Sequence, residues 1–442
     1  MNHANTARPA RNLAVDYYRA SGVILIVLGH WLAGSVTYDD GHFGRQNPLV
    51  DMPWTQWLTW PLQAVPTFFL AAGYASAVSW AHRRDTNAES RQSWLRHRLA
   101  RVLGPTAAYA VVVSAGVLVL GALHVGSSTM EYAGWAVAMH LWFLVVYVLV
   151  VSLTPIAIAT QRRWGLWVPA ALAFGVVVVD VATQGAQVPY LGWVNYLLCW
   201  GVLYQLGIAW QEGLLAGRRP ALLAAASALT LAVLIWLKIY PISMIGVPGQ
   251  TVDNTTPPDV ALLAFGGAQT GLAMTLAPAL NRALRSGPLQ RMLSVANNNV
   301  MALYLWHMIP VVLVAIIGYP AGWLPQPAEG TIDWWLARLE WVAILSLVTV
   351  IELALLWWGR RIFASPLPML GTPLAERWTE PSMLLGVVMA AYGLAFVAAG
   401  GFAPDGRFPW VTAVVFVAGV VLVALRPTQV SARSADPAPT TG

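Results

Sequence analysis

Apolar runs of about 20 residues recur from one end of this chain to the other, and each is long enough to cross a bilayer as a helix. They fall near 14–36, 57–80, 102–123, 135–158, 166–182, 193–211, 220–238, 259–279, 297–317, 334–358, 382–399 and 409–425. Twelve such runs predict an all-α polytopic membrane protein. Charged residues are only 10% of the sequence, against about 25% in a soluble domain, too few to coat a globule of 442 residues. That excludes an ordinary soluble enzyme, a disordered chain and a nucleic-acid binder, despite a net charge of +6.

The basic residues test this count. With the N-terminus on the cytoplasmic side, the inner segments hold 20 of the 25 Lys and Arg residues. Arg45, Lys238, Arg338 and Arg407 lie outside, and Arg19 lies within the first span. The alternation follows the positive-inside rule and places both termini in the cytoplasm, with the protein multi-pass in the plasma or inner membrane. The first span does not read as a cleavable signal, because it is long and carries Asp16, Arg19 and His30. The residues from 427 to 442 have the composition of a disordered tail. The outer loops near 37–56, 239–258 and 318–333 are short enough to serve as a lid or mouth, and no soluble domain is visible. The single cysteine, Cys199, excludes an intramolecular disulfide and a CxxC metal or redox motif.

Ionisable side chains inside a span cost roughly 3 kcal/mol or more, so they mark function. Asp16 and Arg19 are three residues apart on one helix face and are placed to pair. Eleven residues separate Arg19 from His30, about 16 Å of rise with only about 20° of rotation left over, so both face the same way. His307, in Tyr304-Leu-Trp-His307, is expected at a similar depth, with Asn297 to Asn299 opening its helix. His140 and Trp142 begin His140-Leu-Trp142-Phe-Leu at the outer end of the fourth span. Asp180 and Glu352 read as structural. In the loop between the second and third spans, Arg98 and Arg101 are one helical turn apart, and two guanidinium forks suit phosphate recognition.

Five blocks occur in order over roughly residues 12–363. They are Asp16-x2-Arg19-x10-His30, Val-Pro66-Thr-Phe-Phe-Leu-Ala-Ala-Gly73, Arg98-Leu-Ala-Arg101 with Pro105, His140-Leu-Trp142, and Tyr304-Leu-Trp-His307. Together they resemble acyltransferase family 3, the integral membrane O-acyltransferases. The resemblance implies a ten-helix core at 12–363, two added helices in 364–426 and a cytoplasmic tail at 427–442. It departs from the family where Ala72-Gly73 stands in place of Ser-Gly, and no SGNH-type domain follows the last helix.

The resemblance also implies an activity: transfer of an acyl group, acetyl first, from cytoplasmic acyl-CoA to a hydroxyl of an extracytoplasmic carbohydrate or glycoconjugate of the cell envelope. Either the membrane part suffices or a separate extracytoplasmic protein completes the transfer. Membrane lipid, acyl-CoA and a glycosylated acceptor are then the partners, with no nucleic acid and no metal. His30 is the expected general base, held in line by Arg19 and Asp16. Arg98 and Arg101 would take the coenzyme phosphates. His307, Tyr304, Asn299, His140 and Trp142 would bind acceptor or stabilise an oxyanion. The competing class is a transporter or flippase, with His30, His307 and Glu352 in a proton relay. The Arg-x-x-Arg block and the lack of an internal repeat disfavour it.

Overall fold

The computed structural model describes residues 11–86 and 90–427. The predicted tail at 428–442 lies outside the described residues. Apart from 3-10 segments and one-turn helices the described residues form fifteen helices in order: α1 (Leu13–Ala33), α2 (Val65–Thr86), α3 (Arg91–Ala122), α4 (Ser127–Ala136), α5 (Trp142–Ser152), α6 (Thr154–Trp164), α7 (Trp167–Ala186), α8 (Val194–Gln211), α9 (Arg219–Trp236), α10 (Val260–Ala283), α11 (Gly287–Trp306), α12 (Met308–Gly318), α13 (Ile332–Trp358), α14 (Glu376–Gly400) and α15 (Trp410–Ala424).

Each of the twelve apolar runs carries helix. Among the described residues, nine helices are long and apolar enough to cross a membrane, with α4 and α5 taken together as one, or ten if the bent pair α11–α12 is one span. Helix α1 falls outside that number, since Asp16, Arg19 and His30 lower its hydropathy, and so does α15 with its 15 residues. Two runs are not continuous helices. The fourth breaks between α4 and α5 at a short 3-10 turn, Met139–Leu141, and the ninth bends by 50° between α11 and α12.

Pro310 accounts for the second break. It has no N–H to give the Trp306 carbonyl, and its ring crowds that carbonyl, so the helix cannot run through. Helix starts carry local signals too. Ser90, Asp259 and Thr331 each cap one, accepting from Ser93 N, Leu262 N and Trp334 N.

Backbone approach fixes the centre of the bundle. A Cβ added at Gly73 in α2 would lie 2.0 Å from the Tyr204 carbonyl oxygen in α8, and one at Gly207 would lie 2.1 Å from the Leu70 oxygen. Only hydrogen at both positions lets these helices meet so closely, which is how helices associate where lipid offers no hydrophobic drive. Helices α14 and α15 repeat the device with Gly386 and Gly419. Phe69 stacks on Trp200 at 5.1 Å within the α2–α8 contact.

At the end of the bundle where α1 stops, the three long loops are tied together. An antiparallel hairpin, β1 (Ser35–Asp39) with β2 (His42–Gln46), is joined to the loop after α12 by two hydrogen bonds between Gln326 and the Tyr38 backbone, at 2.7 and 2.9 Å. Trp60 Nε1 and Gln63 Nε2 donate to Ile242 O and Met244 O in the loop after α9. The first of these loops and the loop after α9 rim a cavity of about 590 Å³.

Candidate active site

The two helix breaks meet at this cavity. A broken helix inside a bundle frees backbone carbonyls that must find donors, because lipid supplies none. At the α11–α12 break those donors are side chains. His307 Nδ1 lies 2.8 Å from Tyr304 O, His140 Nε2 lies 3.1 Å from Leu305 O, and Trp31 Nε1 donates to His307 O at 3.0 Å. At the other break Tyr109 OH donates to Val137 O at 2.5 Å, and Tyr304 OH donates to His140 O. The histidines are therefore part of the scaffolding that holds the breaks open.

The tautomers follow from these partners. A carbonyl only accepts, so His307 Nδ1 carries a hydrogen and, in the neutral ring, Nε2 keeps its lone pair. His30 Nδ1 lies 2.8 Å from that Nε2, so it is His30 that donates. The hydrogen of His30 is thereby fixed on Nδ1, and Nε2 is left with a lone pair and no hydrogen bond among the described residues. His30 sits in the last turn of α1 and lines the cavity. The rings of His30 and His307 lie end to end and nearly parallel, with centroids 5.1 Å apart and planes 14° apart. His140 stands edge-on to His307 at 4.8 Å, and its buried Nδ1 has no partner.

Three histidines meet here, yet both nitrogens of His307 are engaged. Among the described residues, no group of three or more His, Cys, Asp or Glu has the arrangement of a metal site. What the cluster offers is a free lone pair at His30 Nε2, backed by an acceptor that can stabilise a charge appearing on the same ring, beside a second, buried lone pair at His140 Nδ1.

Of the residues singled out in the sequence, His30, His140, Trp142 and Tyr304 line this cavity, and His307 lies directly behind His30. The remainder are placed elsewhere. Asp16 does not pair with Arg19: its Oδ2 takes Arg11 Nε at 2.5 Å, and Arg19 has no ion pair among the described residues. Arg11 precedes the helix and wins because it is free to swing onto the carboxylate, whereas Arg19 is fixed one turn up. Asn297 to Asn299 do not open their helix, which starts ten residues earlier at Gly287. Asn299 donates to Val295 O and lines a separate groove between α1, α11 and α13, away from His307. Asn297 instead ties α11 to the Asp16 carbonyl at 2.9 Å.

The Arg19–His30 face does not open into one cavity with the arginine pair. Arg19, Arg98 and Arg101 are all absent from the cavity wall. Arg98 donates to Ser76 Oγ at 2.7 Å and lies over the Trp94 ring, while Arg101 is exposed. Asp180 is a structural clamp, accepting from Tyr240 OH, Val260 N and Gln184 Nε2. Glu352 is not paired at Oε2, which is buried without a partner.

Three residues of the cavity escaped the sequence reading. Trp31 is one of many tryptophans, and nothing local distinguishes it. Arg45 and Arg338 had a signal: both are cations on the side of the membrane that the charge alternation keeps poor in them, and Arg338 lies inside an apolar run.

A bundle of apolar spans with a largely apolar cavity that carries histidines and is built on two helix breaks defines a multi-pass membrane protein with a candidate site among its helices. Residues 12–357 match the family model described as acyltransferase domain, Acyl_transf_3. That is well over half of the chain, and the protein belongs to acyltransferase family 3. No curated protein and no solved structure matches it. The matched region ends before α14 and α15, which pack against α5, the Met139–Leu141 turn and α3. Phe402, between them, donates its N–H to Gly134 O and meets the Tyr109 ring at 6.2 Å. The two helices outside the match thus brace the break that carries His140.

Proposed function

We propose that this acyltransferase moves an acyl group, acetyl first, from acyl-CoA on the cytoplasmic side to a hydroxyl of a carbohydrate or glycoconjugate on the outer side of the cell membrane. The observation that carries the reading is the free lone pair of His30 Nε2 inside the cavity. Orientation follows the charge alternation, which puts the His30 end of α1 outside and the Arg98–Arg101 end in the cytoplasm.

In this reading the acceptor hydroxyl gives its proton to His30 Nε2 as its oxygen attacks the thioester carbonyl. A positively charged His30 is stabilised because its Nδ1–H already points at the His307 lone pair. The tetrahedral adduct collapses, the C–S bond breaks, and the proton on His30 goes to the departing thiolate. General-base help of this kind contributes about 10²–10⁴-fold. His307 orients the base, its own N–H held by the Tyr304 carbonyl, while the Tyr304 hydroxyl holds the His140 carbonyl. Arg98 and Arg101 take the coenzyme phosphates at the cytoplasmic end of the bundle, the end at which Arg19 also lies. A flat aromatic wall that includes Trp142 suits the apolar face of a sugar ring.

The proton-relay alternative fits the tautomers less well. A relay through His30 and His307 would have to continue past His307 Nδ1, and there it meets the Tyr304 carbonyl, which accepts a hydrogen bond but passes no proton on.

The test is transfer of label. Membranes containing the protein are given radiolabelled acetyl-CoA, and label is counted in the envelope glycan fraction. Label above that of membranes lacking the protein is expected. Solute uptake or efflux that persists without coenzyme A, with no label in glycan, would overturn the reading in favour of transport.

A further inference from the structure

The cavity wall carries an unpaired guanidinium. Arg338, on α13, is 7% exposed and lines the same cavity as His30. Its one hydrogen bond is from Nη1 to Gly34 O, at a long 3.3 Å, and it lies over the Trp334 ring at 5.0 Å. No carboxylate forms an ion pair with it among the described residues. Buried charges are normally paired, and an arginine fork left open matches a carboxylate or a phosphate.

The nearby acids are poor counter-ions. Glu329 lies in the adjoining groove without an ion pair to Arg338, and its carboxyl is pushed above the usual range by burial and by Asp51 beside it, against the pull of Arg338. Asp253 is the acid on the cavity wall, and its Oδ1 is taken by the Thr255 N–H and hydroxyl. A second guanidinium, Arg45 on β2, stands on the same wall over the Trp135 ring at 5.2 Å. The wall is therefore net positive on the side of the membrane where cations are scarce.

We propose that Arg338, with Arg45 beside it, forms an anion subsite, and that the acceptor carries a carboxylate or phosphate on the sugar that enters this cavity. This rests on the reading of the cavity as the acceptor site and narrows the acceptor to an acidic glycan or a phosphate-linked sugar. The aromatic side chains hold the ring while the guanidinium holds the anion, which fixes which hydroxyl meets His30 Nε2.

Equilibrium dialysis of the full-length protein in nanodiscs, without any acyl donor, tests it with labelled glucuronate, glucose 1-phosphate and glucose. At least one anion is expected to bind about 10-fold or more tightly than glucose, weakening with salt. The tighter of the two tells carboxylate from phosphate. Arg338→Gln should remove the preference and Arg338→Lys keep part of it, with Arg45→Gln weakening it as a second, exposed variant. Glucose binding as tightly as both anions, no saturable binding of either anion, or a preference that survives Arg338→Gln would each overturn the subsite. Because no acyl donor is present, a protein that keeps the preference yet transfers no label would overturn the proposed reaction alone.

Discussion

His30 Nδ1 lies 2.8 Å from His307 Nε2, and the Tyr304 carbonyl on the far side of His307 decides which of the two rings donates. The direction of that one hydrogen bond puts the usable lone pair on His30. His307 plays the part of an orienting group, though it is neutral where such a group is often a carboxylate.

His307→Leu removes the acceptor behind His30 and leaves the Tyr304 carbonyl without its donor. Acyl transfer should fall on the order of 10²-fold, at the lower end of what a general base contributes. His307→Gln, which can accept through its amide oxygen, should retain more. As a positioning residue His307 should also alter the pH–rate profile. A drop in rate with an unchanged profile in both variants would make its role purely structural.

The close approach of α2 and α8 gives a stability prediction. Gly73→Ala places a methyl group where the Tyr204 carbonyl oxygen lies 2.0 Å away, and backbone cannot move aside as a side-chain tip can. A loss of about 1–3 kcal/mol is expected, seen as a lower thermal midpoint in detergent. A midpoint equal to wild type would mean that the helices separate at no cost.

Removing α14 and α15 by ending the chain after residue 363 exposes the α5 surface and the Met139–Leu141 turn. Met383 and Ala390, both fully buried, go with them. The shortened protein should insert but lose most transfer activity, because the turn that carries His140 loses its brace. Full activity of the shortened protein would show that the region matched to the family stands alone.

Glu329 makes a pH prediction. Burial and Asp51 raise its carboxyl in the folded protein, while Arg338 pulls the other way. An acid raised on folding stabilises below its unfolded value, and that contribution is lost as pH climbs through the raised one. Glu329→Gln should therefore gain thermal stability relative to wild type as pH rises from about 4 towards neutrality, and gain nothing at pH below about 4. A difference that is the same at every pH would point to packing instead.

The spans were legible because hydropathy over some 20 residues is a local property, and so was the family, whose blocks are short strings. The order of the five blocks led to His30, His140, Tyr304 and His307, which do converge. What misled was the assumption of unbroken helices. Pro310, three residues after His307, marked the break, but it lies in a run so apolar that hydropathy reads straight across it. At His140 no local residue marks a break, since the donors that permit it, Tyr109 and Tyr304, come from other helices. Asp16 and Arg19 show the limit of spacing as evidence: a shared face allows a pair but does not choose it over Arg11. Arg338 was visible as an exception to the charge alternation, but its lack of a partner is a fact of three dimensions.

The most direct measurement compares purified wild type with His30→Ala in reconstituted vesicles supplied with radiolabelled acetyl-CoA and envelope glycan. A folded His30→Ala protein should transfer label about 10²–10⁴-fold more slowly than wild type. Transfer at the wild-type rate would contradict the assignment of His30 Nε2 as the base, and with it the account of why His307 and Tyr304 are arranged as they are.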